Sequence, residues 1–180
     1  RGPDESASFT NKIDKVFLTH TRLSILDIEN GKQPMATRDN NYVIIFNGEI
    51  YNHKNLRIEL KNLGYNFLTK YSDTEVVLLG YRHFGEKILT KLNGMFSFVI
   101  YDKLKNCLFI GRDRFGEKPF YYSHTNNCFA FASELKALCQ HQYVPEQQNE
   151  ISLIKFLGYG YIPSPLTIIK NCFKLSPGHG

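Results

Sequence analysis

The amino-acid sequence predicts an α+β fold with mostly antiparallel strand pairing. Two observations lead there. Helical spacing and strand-like runs come in blocks, not in strict strand–helix–strand alternation. Between residues 95 and 132, four strand-like runs also follow one another across short turn-rich connections, as successive hairpins do. A doubly wound nucleotide-binding fold is disfavoured, because the sequence has neither G-x-G-x-x-G nor a Walker A loop.

The elements follow in order. Val16–His20 reads as a strand, and Tyr42–Asn47 (YVIIFN) as an apolar strand running into Gly48. Leu56, Leu60 and Leu63 carry helical spacing over Asn55–Leu63, and Gly64 stops it. Ser72-Asp73-Thr74-Glu75 has the form of an S-x-x-E capping box. It opens a helix that Gly85 closes, and a short helix follows over Ile88–Leu92. The hairpin strands are Met95–Tyr101, Cys107–Gly111, Pro119–Ser123 and Cys128–Ala132. Ser133–Cys139, with Ser133 as cap, and Glu150–Leu157 read as helices, and Pro163 and Pro165 break the chain after them.

The 180 residues are 42% hydrophobic, enough for one domain, 1–180, with a sizeable core. A net charge of +5 comes from 22 basic residues against 17 acidic ones. These charges are dispersed, and no basic run is present that would track phosphates, so nucleic acid is not an expected partner. No apolar run approaches the ~20 residues that span a bilayer, so no membrane role is expected either. Cys107, Cys128, Cys139 and Cys172 form no C-x-x-C pair. They are read as reduced core residues of a cytoplasmic protein, and no metal site is expected. The opening Arg1-Gly2-Pro3-Asp4 suggests a piece of a longer protein.

Four segments put polar groups where the chain turns. In His20-Thr21-Arg22-Leu23-Ser24-Ile25-Leu26-Asp27, Arg22 ends a strand. Its guanidinium fork suits a carboxylate, either a ligand's or a structural partner such as Asp27. In Phe46-Asn47-Gly48-Glu49-Ile50-Tyr51-Asn52, the Asn47 amide and the Gly48 N–H could converge on one oxygen as an oxyanion hole. Asn-Gly is also a common turn. Asp73 lies in the first turn of a helix, where a carboxylate serves as a cap or receives an ammonium. Gly111–Pro119 (GRDRFGEKP) reads as a structural connection with charge pairing.

Together with L-N-G-M-F-S-F-V-I-Y-D, F-A-S-E-L-K-A-L and L-S-P-G-H, these segments occur in an order that resembles the glutaminase domain of glutamine-dependent asparagine synthetases, a class II glutamine amidotransferase. The resemblance runs from Arg1 to His179. It implies an N-terminal-nucleophile hydrolase fold, a four-layer αββα sandwich with two antiparallel sheets. It also implies a mechanism in which an N-terminal Cys, with its own α-amino group as base, attacks the glutamine amide. Ammonia then passes to a synthetase domain that uses ATP and Mg to activate aspartate. By the same resemblance, Arg22 matches the grip on the α-carboxylate, and Asn47 and Gly48 the oxyanion hole. Glu49 and Asp73 match the acidic residues near the α-amino group, and Ile25 and Leu26 backbone contacts lining the pocket.

The family's nucleophilic Cys would lie upstream of Arg1, on a first strand followed by a first helix, and the sequence shows none of these. The synthetase domain with its ATP and Mg site is likewise not in this chain, which needs no cofactor of its own. The expectation is therefore a domain that holds glutamine without hydrolysing it, belonging to a glutamine-hydrolysing enzyme. The alternative is a non-catalytic glutamine-binding or interaction module. Which acid is amidated and the oligomeric state, a homodimer included, are left open.

Overall fold

The computed structural model describes residues 2, 4–23, 31–125 and 128–180. The chain divides into two compact units, Arg1–Gly111 and Arg112–Gly180. The α+β class and the antiparallel pairing expected from the sequence are present in both.

In the first unit, β1 (Glu5–Asn11) and β2 (Val16–Arg22) form an antiparallel ribbon. A four-stranded sheet has the order β3 (Met35–Ala36), β4 (Tyr42–Ile50), β5 (Gly94–Asp102), β6 (Cys107–Arg112). Period-two alternation divides the side chains of its central strands between two faces. Ile44, Phe46 and Ile50 of β4, with Phe96, Phe98 and Ile100 of β5, enter a core shared with helices α1 (His53–Asn62), α2 (Asp73–Phe84) and α3 (Ile88–Lys91). Those helices supply Leu56, Leu60, Val76, Val77, Leu79 and Ile88. On the other face, the Tyr101 ring meets Phe9 at 6.1 Å, and Asn11 Nδ2 donates to the Tyr101 hydroxyl at 3.1 Å. The ribbon therefore covers the side of the sheet that the helices leave open.

The register of β4 decides what its second edge can do. Tyr51 N donates to Asn93 O at 2.8 Å, and Lys103 N to Asn41 O at 3.0 Å. These bonds bracket a ladder in which Asn47 faces Ser97 and Gly48 faces Phe96. In an antiparallel pair, alternate residues direct their N–H and C=O toward the same neighbour. Odd-numbered residues of β4 therefore bond β5, and even-numbered ones point to the opposite edge. The two-residue β3 pairs there with Val43 and Ile44 only. Beyond it, Phe46, Gly48 and Ile50 present their backbone with no strand of the described residues beside them.

The capping box takes a different form from the one expected. Ser72 is the N-cap of α2, yet its side chain makes no capping bond. The Glu75 carboxylate turns outward instead and accepts from Leu68 N at 2.6 Å, Thr69 N at 2.8 Å and the Thr69 hydroxyl at 2.5 Å. Two neighbouring backbone donors outcompete the single N-cap amide that a box would satisfy.

In the second unit, β8 (Cys128–Ala132), β7 (Tyr121–Thr125) and β9 (Cys172–Lys174) form an antiparallel sheet in that order. Leu138, Val144 and Cys172 are its buried core. The helix expected from Ser133 is shorter, α4 (Leu135–Leu138), with Glu134 at its N-cap. In α5 (Glu150–Tyr159), Asn149 caps the start by accepting from Ser152 N at 3.2 Å, while Ile151, Ile154, Leu157 and Tyr159 stay exposed. The 112–118 connection is structural, as its sequence suggested, though its charges hold backbone. Asp113 accepts from the amides of Phe115, Glu117 and Lys118, and Arg112 donates to the carbonyls of Gly116, Lys118 and Leu175. Of the four cysteines read as core residues, only Cys172 is buried. Cys107 is exposed, because it begins β6 at the hairpin end.

Candidate functional site

The second edge of β4 is capped by side chains. Gln33, itself buried, accepts from Phe46 N through Oε1 at 2.6 Å. His20 Nε2 donates to Phe46 O at 3.1 Å. Two rungs on, the Asp73 carboxylate accepts from Ile50 N at 3.0 Å, and His53 Nδ1 donates to Ile50 O at 2.7 Å. Between these capped rungs lies Gly48. Its N–H points to the same edge, and among the described residues it has no acceptor. Gly48 has φ of +153°, and a Cβ there would lie 2.1 Å from Met95 O. Glycine is therefore required both by conformation and by the closeness of β5.

Asn47 is half-buried on the odd-numbered side of β4, with its side chain on the ribbon face. Glu49 is also half-buried and shares that parity. Asp73 is almost fully buried at the start of α2, where Oδ1 also accepts from Thr74 N at 2.8 Å. Burial raises its carboxyl above the ordinary carboxylate range, partly offset by the bonds from Ile50 and Thr74. The helix N-terminus acts in the offsetting direction, favouring negative charge.

The loop leading to Asp73 is held from two sides. Arg57 donates through Nη1 to Thr69 O at 2.7 Å and through Nη2 to Ser72 O at 2.7 Å. Its guanidinium also stacks over Phe67, 4.1 Å from the ring centre. Glu75 grips Leu68 and Thr69 from the helix side. The residues just before Asp73 thus gain charge-assisted bonds in place of a strand or helix ladder.

Arg22 closes β2, buried, with Nη1 3.3 Å from Glu5 Oε2. Glu5 lies directly opposite it in the ribbon. Asp27, the structural partner considered from sequence, and the pocket-lining Ile25 and Leu26 lie outside the described residues. His20 connects β2 to β4. It sits two residues before Arg22, on the same face of β2, and reaches Phe46 O beside Asn47. Burial, with Arg22 nearby, lowers the His20 pKa, so its imidazole is neutral at neutral pH. Its Nδ1 is buried and has no partner among the described residues.

Asn47, Gly48 and Glu49 are consecutive residues of β4, Asp73 bonds Ile50 at its second edge, and Arg22 shares the face of β2 from which His20 reaches Phe46 O. Sequence reasoning missed Gln33, His20, Arg57 and the real task of Glu75. A signal existed for Arg57, which follows Leu56 on the inward face of α1. Gln33 gave none, since a glutamine ahead of Pro34 reads as loop. Among the described residues, no cluster of three or more His, Cys, Asp or Glu could hold a metal. No described helix is long and apolar enough to cross a membrane.

The chain belongs to the glutamine amidotransferase domain family, whose model matches residues 1–180. It is 44% identical over 178 residues to the glutamine-hydrolysing asparagine synthetase 1 of Bacillus subtilis, covering 99% of this chain and 28% of that protein. It is 42% identical over 139 residues to the glutamine-hydrolysing asparagine synthetase B of Escherichia coli, covering 77% of this chain and 24% of the relative. The chain thus spans less than a third of these relatives. In fold it matches the glutamine phosphoribosylpyrophosphate amidotransferase of Bacillus subtilis, with a TM-score of 0.56 at 24% identity over 67% of this chain and 28% of that one.

Proposed function

We propose that this domain binds glutamine at the β4 edge, and that its parent protein hydrolyses the amide to supply ammonia for an ATP- and Mg-dependent synthesis of asparagine. The observation that carries the reading is the open Gly48 N–H, set between two capped rungs and beside Asn47. An amide carbonyl seated there would accept from Gly48 N–H and from the Asn47 side chain, the donor pair that stabilises a tetrahedral oxyanion. Asp73 and Glu49 offer negative charge to the ligand's ammonium, and Arg22 a fork to its carboxylate. That Ile25 and Leu26 line this pocket belongs to the same proposal, and both lie outside the described residues. Hydrolysis itself uses the N-terminal cysteine and α-amino base of the family. The synthetase half, its ATP and Mg, and a cytoplasmic location belong to the same proposal.

The test is calorimetric titration of residues 1–180 with glutamine. Saturable binding that is lost in R22A and weakened in N47A, with glutamate binding more weakly, supports the reading. No binding of glutamine by the wild-type chain refutes it.

A further inference from the structure

We infer that Gln33 is the positioning residue that couples the oxyanion strand to the helix carrying Asp73. This rests on the reading of the β4 edge as a glutamine site. Gln33 uses both ends of one buried amide. Oε1 accepts from Phe46 N at 2.6 Å, and Nε2 donates to the Thr74 hydroxyl at 3.4 Å. Phe46 immediately precedes Asn47, and Thr74 immediately follows Asp73. A single side chain therefore ties the residue next to the proposed oxyanion donors to the residue next to the proposed ammonium anchor.

The backbone pattern makes this link specific. Phe46 N–H and Gly48 N–H point to the same edge, because they lie two residues apart on a strand. With Phe46 N–H held by Gln33 and Phe46 O held by His20, the peptide leading into Asn47 is fixed from both sides. Asp73 fixes Ile50, the rung on the far side of Gly48. Gln33 then joins the two fixed points through α2. Gln33 is 8% exposed, so water competes little for its bonds. A carboxamide suits this place because it accepts at one end and donates at the other without adding charge beside Asp73.

The experiment compares wild type, Q33L, T74V and R22A as the 180-residue chain, by amide NMR and glutamine calorimetry. T74V is the informative variant, since it removes only the Thr74 hydroxyl, which reaches β4 through Gln33 alone in the hydrogen bonds described, and leaves the Thr74 N–H to Asp73 in place. The expected result in the free protein is that T74V and Q33L both shift the Asn47 and Gly48 amide resonances, while those of β7 and β8 stay in place. With glutamine, Q33L is expected to weaken binding about tenfold, the scale of one lost buried hydrogen bond. The Gly48 shift that accompanies binding should shrink in parallel. Should Q33L not fold, T74V carries the test on the same two readouts. Unmoved Asn47 and Gly48 amides in T74V, or glutamine affinity within twofold of wild type in a folded Q33L, overturns the coupling. If R22A nonetheless loses binding, the glutamine site itself stands. No binding by wild type overturns the site reading, while the amide shifts in the free protein still decide the coupling.

Discussion

Replacing Gly48 by alanine should loosen the β4–β5 ladder at the point where the open amide sits. The added Cβ would lie 2.1 Å from Met95 O and 2.7 Å from Phe96 Cα, where ordinary contact begins at 3.4 Å. Both neighbours are backbone, so the strands must part by about 1 Å, and no side chain can swing aside to spare them. The φ of +153° adds conformational strain of about 1–3 kcal/mol. Forced separation of well-packed strands adds about 1–3 kcal/mol more. The expected loss is about 2–6 kcal/mol, which lowers Tm by roughly 4–24 °C for a chain of this size. Urea and thermal unfolding of wild type, G48A and G64A measure it. Gly64 also has a positive φ, of +90°, but a Cβ there meets nothing within 4 Å. G64A should therefore cost only about 1 kcal/mol, for conformation alone. If G48A were as mild as G64A, the close approach of β5 would not be what requires glycine, and the reasoning would fail.

Three further outcomes follow from the same geometry. R57A should destabilise by about 2–4 kcal/mol, because it strips bonds from the buried Thr69 and Ser72 carbonyls and leaves them unpaired. Hydrogen exchange should locate the loss in residues 65–73. E75Q should weaken the same loop by about 1–2 kcal/mol, because its charge-assisted acceptor becomes neutral. A stability unchanged from wild type would contradict that. For Asp73 the sign is set by its raised pKa. Its contribution to stability is full below the ordinary carboxylate pKa and is lost as pH rises through the folded value. D73N should therefore show a flatter stability–pH curve across that window. Glutamine affinity should move the opposite way in wild type, falling as acidification removes the carboxylate charge. Calorimetry at a series of pH values rising from the ordinary carboxylate pKa reads both trends.

Much of the fold was legible because it rests on local pattern. The YVIIFN run and the helical leucines each became the expected element, with boundaries shifted by a few residues, whereas the hairpin series formed strands of two separate sheets, β5 and β6 in one and β7 and β8 in the other. The capping motif misled, since S-x-x-E shows a donor and an acceptor but not the loop amides that compete for Glu75. In the site, Arg22, Asn47, Gly48 and Asp73 were nameable because each stands at the end of an element or at a glycine, whereas Glu49 was named from the family resemblance alone. Gln33 and His20 were not nameable. Their roles depend on which β4 residues face away from β5, and that parity is fixed by pairing with a strand some fifty residues later. Cys107 was misread for a related reason, because an apolar neighbourhood in sequence says nothing about position along a hairpin.

The side-chain caps on the second edge of β4 also bear on how this edge can change. A neighbouring strand would bind all of its rungs in one register, and a slip would move every rung together. Here Phe46 and Ile50 answer to separate residues, Gln33 with His20 and Asp73 with His53. Each rung can be rewritten by a single substitution while its neighbour stays in place. Length changes in the segment before β3 need preserve only the reach of one amide side chain, so the geometry around Gly48 is insulated from insertions that would displace a paired strand.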